Sequence, residues 1–242
     1  MLDTSGSMFG EKFTHAVDAL KNIITALPEG DKFNVIRYGN KVRSWRQVMS
    51  PADEKTKEKA GEFLDNITVG GSTDIEGALL EAIQLAEMSE TGRIPIILFL
   101  TDGGPNVGGG DVQSIVSTIT ARANFQISIN GISLGTNDLT GWQLVQRLTQ
   151  KNRGLSAKMF DIGAFPVDIP AKFSEMKEHA RSLRGLSDIK FKMNGEYVYD
   201  LTNTHFADYA EGSDLVVLGK LKGSRAKQTI SWHVSDISTN VF

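Results

Sequence analysis

Three short segments carry oxygen-bearing side chains where a strand end meets a helix start: Asp3-Thr4-Ser5-Gly6-Ser7, Gly70-Gly71-Ser72-Thr73-Asp74 and Thr101-Asp102-Gly103. In open α/β sheets, ligands gather outside the carboxyl ends of the strands. The first and third segments satisfy that rule if a strand precedes Asp3. The second has to fold back to the same edge. Together Asp3, Ser5, Ser7, Thr73 and Asp102 offer two carboxylates and three hydroxyls. An all-oxygen set suits Mg²⁺, Mn²⁺ or Ca²⁺ rather than zinc. A small octahedral ion that keeps several waters fits best, so Mg²⁺ leads. Alternate residues Asp3, Ser5 and Ser7 converge on one ion if the turn is tight, and Gly6 permits such a turn.

Each segment also has a purely structural reading. Ser7 can cap the following helix. Thr73 and Glu76 form a capping-box pattern. Asp102-Gly103 is an ordinary turn dipeptide. A different chemistry is written in Gly131-Ile132-Ser133-Leu134-Gly135, which fits the Gly-x-Ser-x-Gly nucleophile elbow of hydrolases. His179, His205 and His233 lie downstream of it. An elbow helix starts at the serine, however, and here Gly135 to Asp138 intervene before helical spacing resumes. Ser133 then reads as part of a strand end. The histidines show no His-x-x-x-His spacing. Trp45, Trp142 and Trp232 read as packing residues. Lys220, Lys222, Arg225 and Lys227 read as a solvated basic turn, with a glycosaminoglycan-like polyanion as the alternative.

The elements that must position these residues alternate between strand and helix up to about Leu186. Phe13, Ala16, Val17, Leu20 and Ile24 place a helix over about Lys12 to Leu27. Phe33 to Tyr38 reads as a strand with a hairpin mate, Lys41 to Met49, turning at Gly39-Asn40. Helices follow over Ala52 to Asn66 and Asp74 to Met88. Ile94 to Leu100 is continuously apolar, as a parallel strand covered on both faces should be. Val112 to Asn124 is helical, Phe125 to Leu134 a strand, Leu139 to Lys151 a helix, Ala157 to Ile162 a short strand and Val167 to Leu183 a helix. This alternation indicates an α/β fold with a doubly wound, mostly parallel sheet flanked by helices. Residues 187 to 242 alternate with period two, with hairpin turns at Asn194-Gly195 and Lys222-Gly223-Ser224. They read as a small antiparallel β region of a following domain.

Composition narrows the partners. The chain has 242 residues, a formal net charge of −3 and no cysteine. Disulfides, thiolate metal sites and a cysteine nucleophile are excluded. Charges of both signs are interspersed, which argues against nucleic acid as the partner. No apolar run is long enough to span a bilayer, and no secretory signal follows Met1. One glycosylation sequon, Asn66-Ile67-Thr68, gives weak support for secretion.

The Asp-x-Ser-x-Ser loop, the later Thr73 and the Thr-Asp-Gly segment resemble the metal-ion-dependent adhesion site of the von Willebrand factor type A family. The resemblance covers roughly residues 1 to 185. Within that family, Gly92-Arg93-Ile94-Pro95 through Asp102-Gly103, Asn152-Arg153-Gly154 and Gly212 to Val217 look most like inter-alpha-trypsin inhibitor heavy chains. The resemblance implies a domain over 1–186, followed by part of a β-rich domain over 187–242. It implies that Ser5, Ser7 and Thr73 contribute hydroxyls and that Asp3 and Asp102 bind directly or through water. An ion held largely by neutral ligands keeps more of its charge and favours a carboxylate in its open position. The implied role is non-enzymatic: a secreted adhesion or hyaluronan-matrix-associated module whose protein partner supplies an acidic residue. A serine hydrolase using Ser133 and a structural domain with a vestigial metal site are the alternatives. The family places a buried apolar strand before the first Asp, and here only Met1 and Leu2 precede it. The first central strand is therefore expected to be missing and the chain to be a fragment.

Overall fold

The structure, a computed structural model, describes residues 1–88, 95–105, 111–123, 127–135, 138–182, 186–192, 198–202, 205–209, 216–221 and 231–234. It divides the chain into two units, Met1–His179 and Ala180–Phe242. The first unit runs β1 (Leu2–Asp3), α1 (Glu11–Thr25), β2 (Lys32–Phe33), β3 (Ile36–Tyr38), β4 (Arg43–Ser44), β5 (Ser50–Pro51), α2 (Glu54–Asp65), α3 (Ile75–Glu87), β6 (Ile96–Thr101), α4 (Val112–Ala123), β7 (Ser128–Leu134), α5 (Leu139–Lys151), β8 (Ser156–Met159) and most of α6 (Phe165–Ser182), within which the division falls.

Six strands form one sheet in the order β4-β3-β1-β6-β7-β8. All neighbours are parallel except β4, which pairs antiparallel with β3. Alternate residues of β6 feed two cores. Leu98 and Leu100 pack with Ala16, Leu20 and Ile24 of α1, Leu64 of α2, and Phe165 and Ile169 of α6. Ile97 and Phe99 pack with Leu79 and Ile83 of α3, Ile115 and Ile119 of α4, and Leu144 and Leu148 of α5. A strand buried on both faces has to be apolar at every position, which accounts for the unbroken run Ile96–Leu100. The expected doubly wound α/β sheet is the fold observed, and every helix bound lies within a few residues of its sequence-based position.

Three local differences have physical causes. The central strand is short rather than missing: β1 has two residues, and Leu2 pairs with Arg37 of β3 on one side and Leu100 of β6 on the other. The expected strand Phe33–Tyr38 breaks at Asn34. The Asn34 side chain accepts from Val35 N and Arg46 N and donates to the carbonyls of Arg46 and Val48. A side chain that competes for backbone partners in this way interrupts a ladder. The cap of α3 is Asp74, whose carboxylate accepts from Gly77 N at 2.9 Å, and not Thr73. The tryptophans behave as packing residues where their side chains are described. Trp45 stacks on Phe33 at 5.7 Å between centroids, and Lys158 lies over Trp142.

The second unit contains β9 (Leu186–Lys192), β10 (Val198–Tyr199), β11 (His205–Tyr209), β12 (Lys220–Leu221) and β13 (Ser231–Val234). β9 is the middle strand of an antiparallel sheet, β11-β9-β13, and β10 pairs antiparallel with β12. The turns expected at Asn194-Gly195 and Lys222-Gly223-Ser224 lie outside the described residues. So do Gly212 to Leu215, Gly92 to Ile94, and Lys222, Arg225 and Lys227 of the basic turn.

Candidate metal centre

The carboxyl ends of β1 and β6 are neighbours in the sheet, so the segments that follow them emerge side by side. Asp3 ends β1 and Asp102 follows β6. The first segment turns at once into a short 3-10 turn, Gly6–Met8, and then α1. The glycine-rich segment is drawn to the same edge by backbone bonds. Gly70 N donates to Thr4 O at 2.8 Å, and Gly6 N donates to Gly71 O at 3.1 Å. Gly71 has φ +93°, and a Cβ there would fall 2.3 Å from Asn40 Nδ2. Glycine is the residue that reaches this conformation without strain, and it lets Asn40 Oδ1 accept from Ser72 N at 2.7 Å. All three segments therefore meet at one sheet edge, as the ligand rule for α/β folds requires.

Within that edge, Ser5, Ser7 and Asp102 form a run of oxygens. Ser5 Oγ stands 3.0 Å from Ser7 Oγ, and Ser7 Oγ donates to Asp102 Oδ1 at 2.7 Å. Asp3 is fully buried below them. Its Oδ1 accepts from Ser5 N and its Oδ2 from Thr101 Oγ1, each at 2.8 Å. Burial pushes the Asp3 carboxyl above its ordinary pKa; bonds from Ser5 and Thr101 oppose the rise, and the charge of Asp102 adds to it. Thr73 is buried as well, one residue before the Asp74 cap. Ser7 is the exposed member of the set.

One participant was not anticipated. The Lys12 ammonium lies 2.7 Å from Asp102 Oδ2 and donates to the Ser7 carbonyl at 3.2 Å. The sequence did carry a signal. Lys12 sits in the first turn of α1, where the helix dipole disfavours a cation, so a carboxylate is needed nearby.

The donor chemistry fits a small hard cation. Among the described residues, no three His, Cys, Asp or Glu side chains cluster, so a site here depends on hydroxyls. Adjacent ligands on an octahedral ion with bonds of about 2.1 Å stand about 3 Å apart. The Ser5–Ser7 and Ser7–Asp102 separations are of that size. A buried carboxylate such as Asp3 also gains from a cation, because burial without one disfavours its charge.

The loop carrying Asp102 is fixed from behind by α5. Asp138 caps that helix through Thr140 N and Gly141 N, and its Oδ2 also accepts from Gly104 N at 2.7 Å. Ser133 plays a different part from the nucleophile elbow considered above. It lies inside β7, paired in register with Thr101 and Lys158, and is 1% exposed. Its Oγ has no hydrogen-bond partner among the described residues. A nucleophile elbow needs an exposed hydroxyl at a strand-to-helix turn, and Ser133 has neither the exposure nor the turn.

Comparison with known proteins agrees with this fold. The sequence model of the von Willebrand factor type A domain matches residues 1–157, and the chain belongs to that family. Among curated proteins it is similar to inter-alpha-trypsin inhibitor heavy chain H2 of Mesocricetus auratus, 29% identical over 246 residues, which cover 99% of this chain and 25% of that protein. It is also similar to human heavy chain H6, 28% identical over 244 residues, covering 97% of this chain and 18% of that one. The chain thus spans a quarter or less of these relatives. Among solved structures, a von Willebrand factor type A protein from Catenulispora acidiphila superposes with a TM-score of 0.66 at 17% identity, covering 91% of this chain and 52% of that one. Proximal thread matrix protein 1 from the mussel byssus, solved with a zinc-occupied MIDAS motif, gives 0.53 at 17% identity, covering 71% and 44%. At such identities the structures speak for the fold. Among the described residues, no helix is long and apolar enough to cross a membrane.

Proposed function

We propose that this chain is a non-enzymatic binding module in which Asp3, Ser5, Ser7, Thr73 and Asp102 hold a divalent cation, Mg²⁺ by their donor chemistry. The run Ser5–Ser7–Asp102 carries the reading, with oxygen spacings of 3.0 and 2.7 Å beside the buried carboxylate of Asp3. The hydroxyls are neutral, so the ion keeps charge to offer. When bound, it supplies an open coordination position for an acidic side chain of a protein partner. Asp3 and Thr101 anchor the base of the site, and Ser7 faces the partner. The matched relatives are named as inhibitor heavy chains, and the structural neighbours include a byssus matrix protein and a pilus adhesin. An extracellular, matrix-associated or adhesive role is in keeping with those names.

Thermal melts of the chain across a Mg²⁺ series test the site. A ligand bound only by the folded state adds about 2.7 kcal/mol at a hundred times its Kd. The melting temperature is expected to climb with Mg²⁺ in the natural chain and to stay flat in Asp3→Ala and Asp102→Ala. A climb that persists in both variants rejects the proposed ligands. A flat response in the natural chain favours a structural domain with a vestigial site.

A further inference from the structure

We propose that Lys12 is a resident cation of this site: its ammonium holds Asp102 when no divalent ion is bound, and the ion displaces it. The inference rests on the metal reading above. Asp102 has both oxygens engaged, Oδ1 by the Ser7 hydroxyl and Oδ2 by Lys12 Nζ, each at 2.7 Å. Its side chain is 1% exposed and that of Lys12 is 16% exposed, so the pair is shielded from bulk water. Lys12 also bonds the Ser7 carbonyl, so it grips the first and third segments together.

The lysine is delivered there by packing. A Cβ at Gly135 would come 3.4 Å from Lys12 Cε, so the end of the stem lies against the backbone just after β7. Only the head reaches the acidic site. A lysine at a helix start is repelled by the helix dipole, so Asp102 is the group that holds it. A divalent ion coordinated by Ser7 Oγ stands within a few ångströms of that ammonium, and like charges at such range repel strongly inside a protein. The ion and the lysine therefore compete for one carboxylate. Lys12 keeps the ion-free domain folded by neutralising a buried charge, and it weakens the site for the ion.

Isothermal titration of the whole chain with MgCl₂, and with MnCl₂ as a second probe, tests the competition in the natural chain, Lys12→Gln and Lys12→Arg. Lys12→Gln is expected to bind either ion about tenfold more tightly, and Lys12→Arg to stay near the natural affinity. Ion-free Lys12→Gln is expected to melt below the natural chain, with the gap closing at saturating Mg²⁺. Equal or weaker affinity in Lys12→Gln overturns the inference, as does a melting deficit that is the same with and without ion. Amine acetylation footprinting of the natural chain needs no variant: labelling of Lys12 should rise severalfold on saturation with Mg²⁺, and a constant rate overturns displacement. If no protein binds either ion while all remain folded, the metal reading fails and this inference fails with it.

Discussion

Ser7 Oγ donates to Asp102 Oδ1 at 2.7 Å across 95 residues of sequence. This bond joins the segment after β1 to the segment after β6. Ser7→Ala leaves one oxygen of a buried carboxylate without its donor, a loss of about 1–3 kcal/mol. If the hydroxyl is also a metal ligand, the deficit grows when Mg²⁺ is present, because the natural chain then gains stability that the variant does not. Urea denaturation in EDTA and in excess Mg²⁺ reads both numbers. A deficit of equal size in the two conditions assigns Ser7 a structural role alone.

Gly141 of α5 controls the same loop from behind. A Cβ at this position would fall 2.5 Å from the Gly103 carbonyl carbon and 2.8 Å from Gly104 N. Backbone cannot yield as a side-chain tip can, so Gly141→Ala has to push the Asp102 loop away. Overpacking of this kind costs about 1–3 kcal/mol. The expected outcome is a lower melting temperature together with weaker Mg²⁺ binding, although residue 141 supplies no ligand. Unchanged affinity shows that the loop position is not set by α5.

Burial raises the Asp3 carboxyl above its ordinary pKa. The folded state therefore binds more protons than the unfolded state just above the ordinary carboxylate range. The sign follows: this contribution to stability is fully present below that range and is lost as the pH rises through the raised value. Urea denaturation of the ion-free natural chain and of Asp3→Asn across that range isolates the carboxyl. The difference in stability between them should vary with pH, and a constant difference contradicts the assignment.

Ser133 carries a buried hydroxyl with no hydrogen-bond partner among the described residues. Removing such a group relieves a desolvation cost of about 1–3 kcal/mol, offset by the small void it leaves. Ser133→Ala is expected to be neutral or slightly stabilising in urea. The natural chain should also resist labelling by a fluorophosphonate probe, since the hydroxyl lies inside β7. Labelling lost in Ser133→Ala would bring back the hydrolase reading.

The parts of this fold legible in the sequence are those governed by local periodicity and caps. The bounds of α5 are the same in sequence and structure, because Asp138 and Asn152-Gly154 mark its ends and apolar residues recur between them. The unbroken apolar run before Thr101 announced a doubly covered strand. What could not be read depends on side chains reaching across the chain. Asn34 breaks a strand by bonding to Arg46 and Val48, partners set by tertiary structure. The pairing of Leu2 with Arg37 of β3 and with Leu100 of β6 likewise depends on contacts far apart in sequence. Asp74, rather than Thr73, closes the start of α3. In the site, all five proposed ligands lie in segments gathered at one sheet edge. The Lys12–Asp102 contact is not legible in the sequence because it spans 90 residues and is made by the tertiary fold.

The most direct test is anomalous diffraction from crystals of this chain soaked in Mn²⁺. The account predicts a single manganese peak within coordination distance of Ser5 Oγ and Ser7 Oγ, bounded by Asp3, Thr73 and Asp102. A principal peak elsewhere, or none at this edge under saturating Mn²⁺, contradicts it.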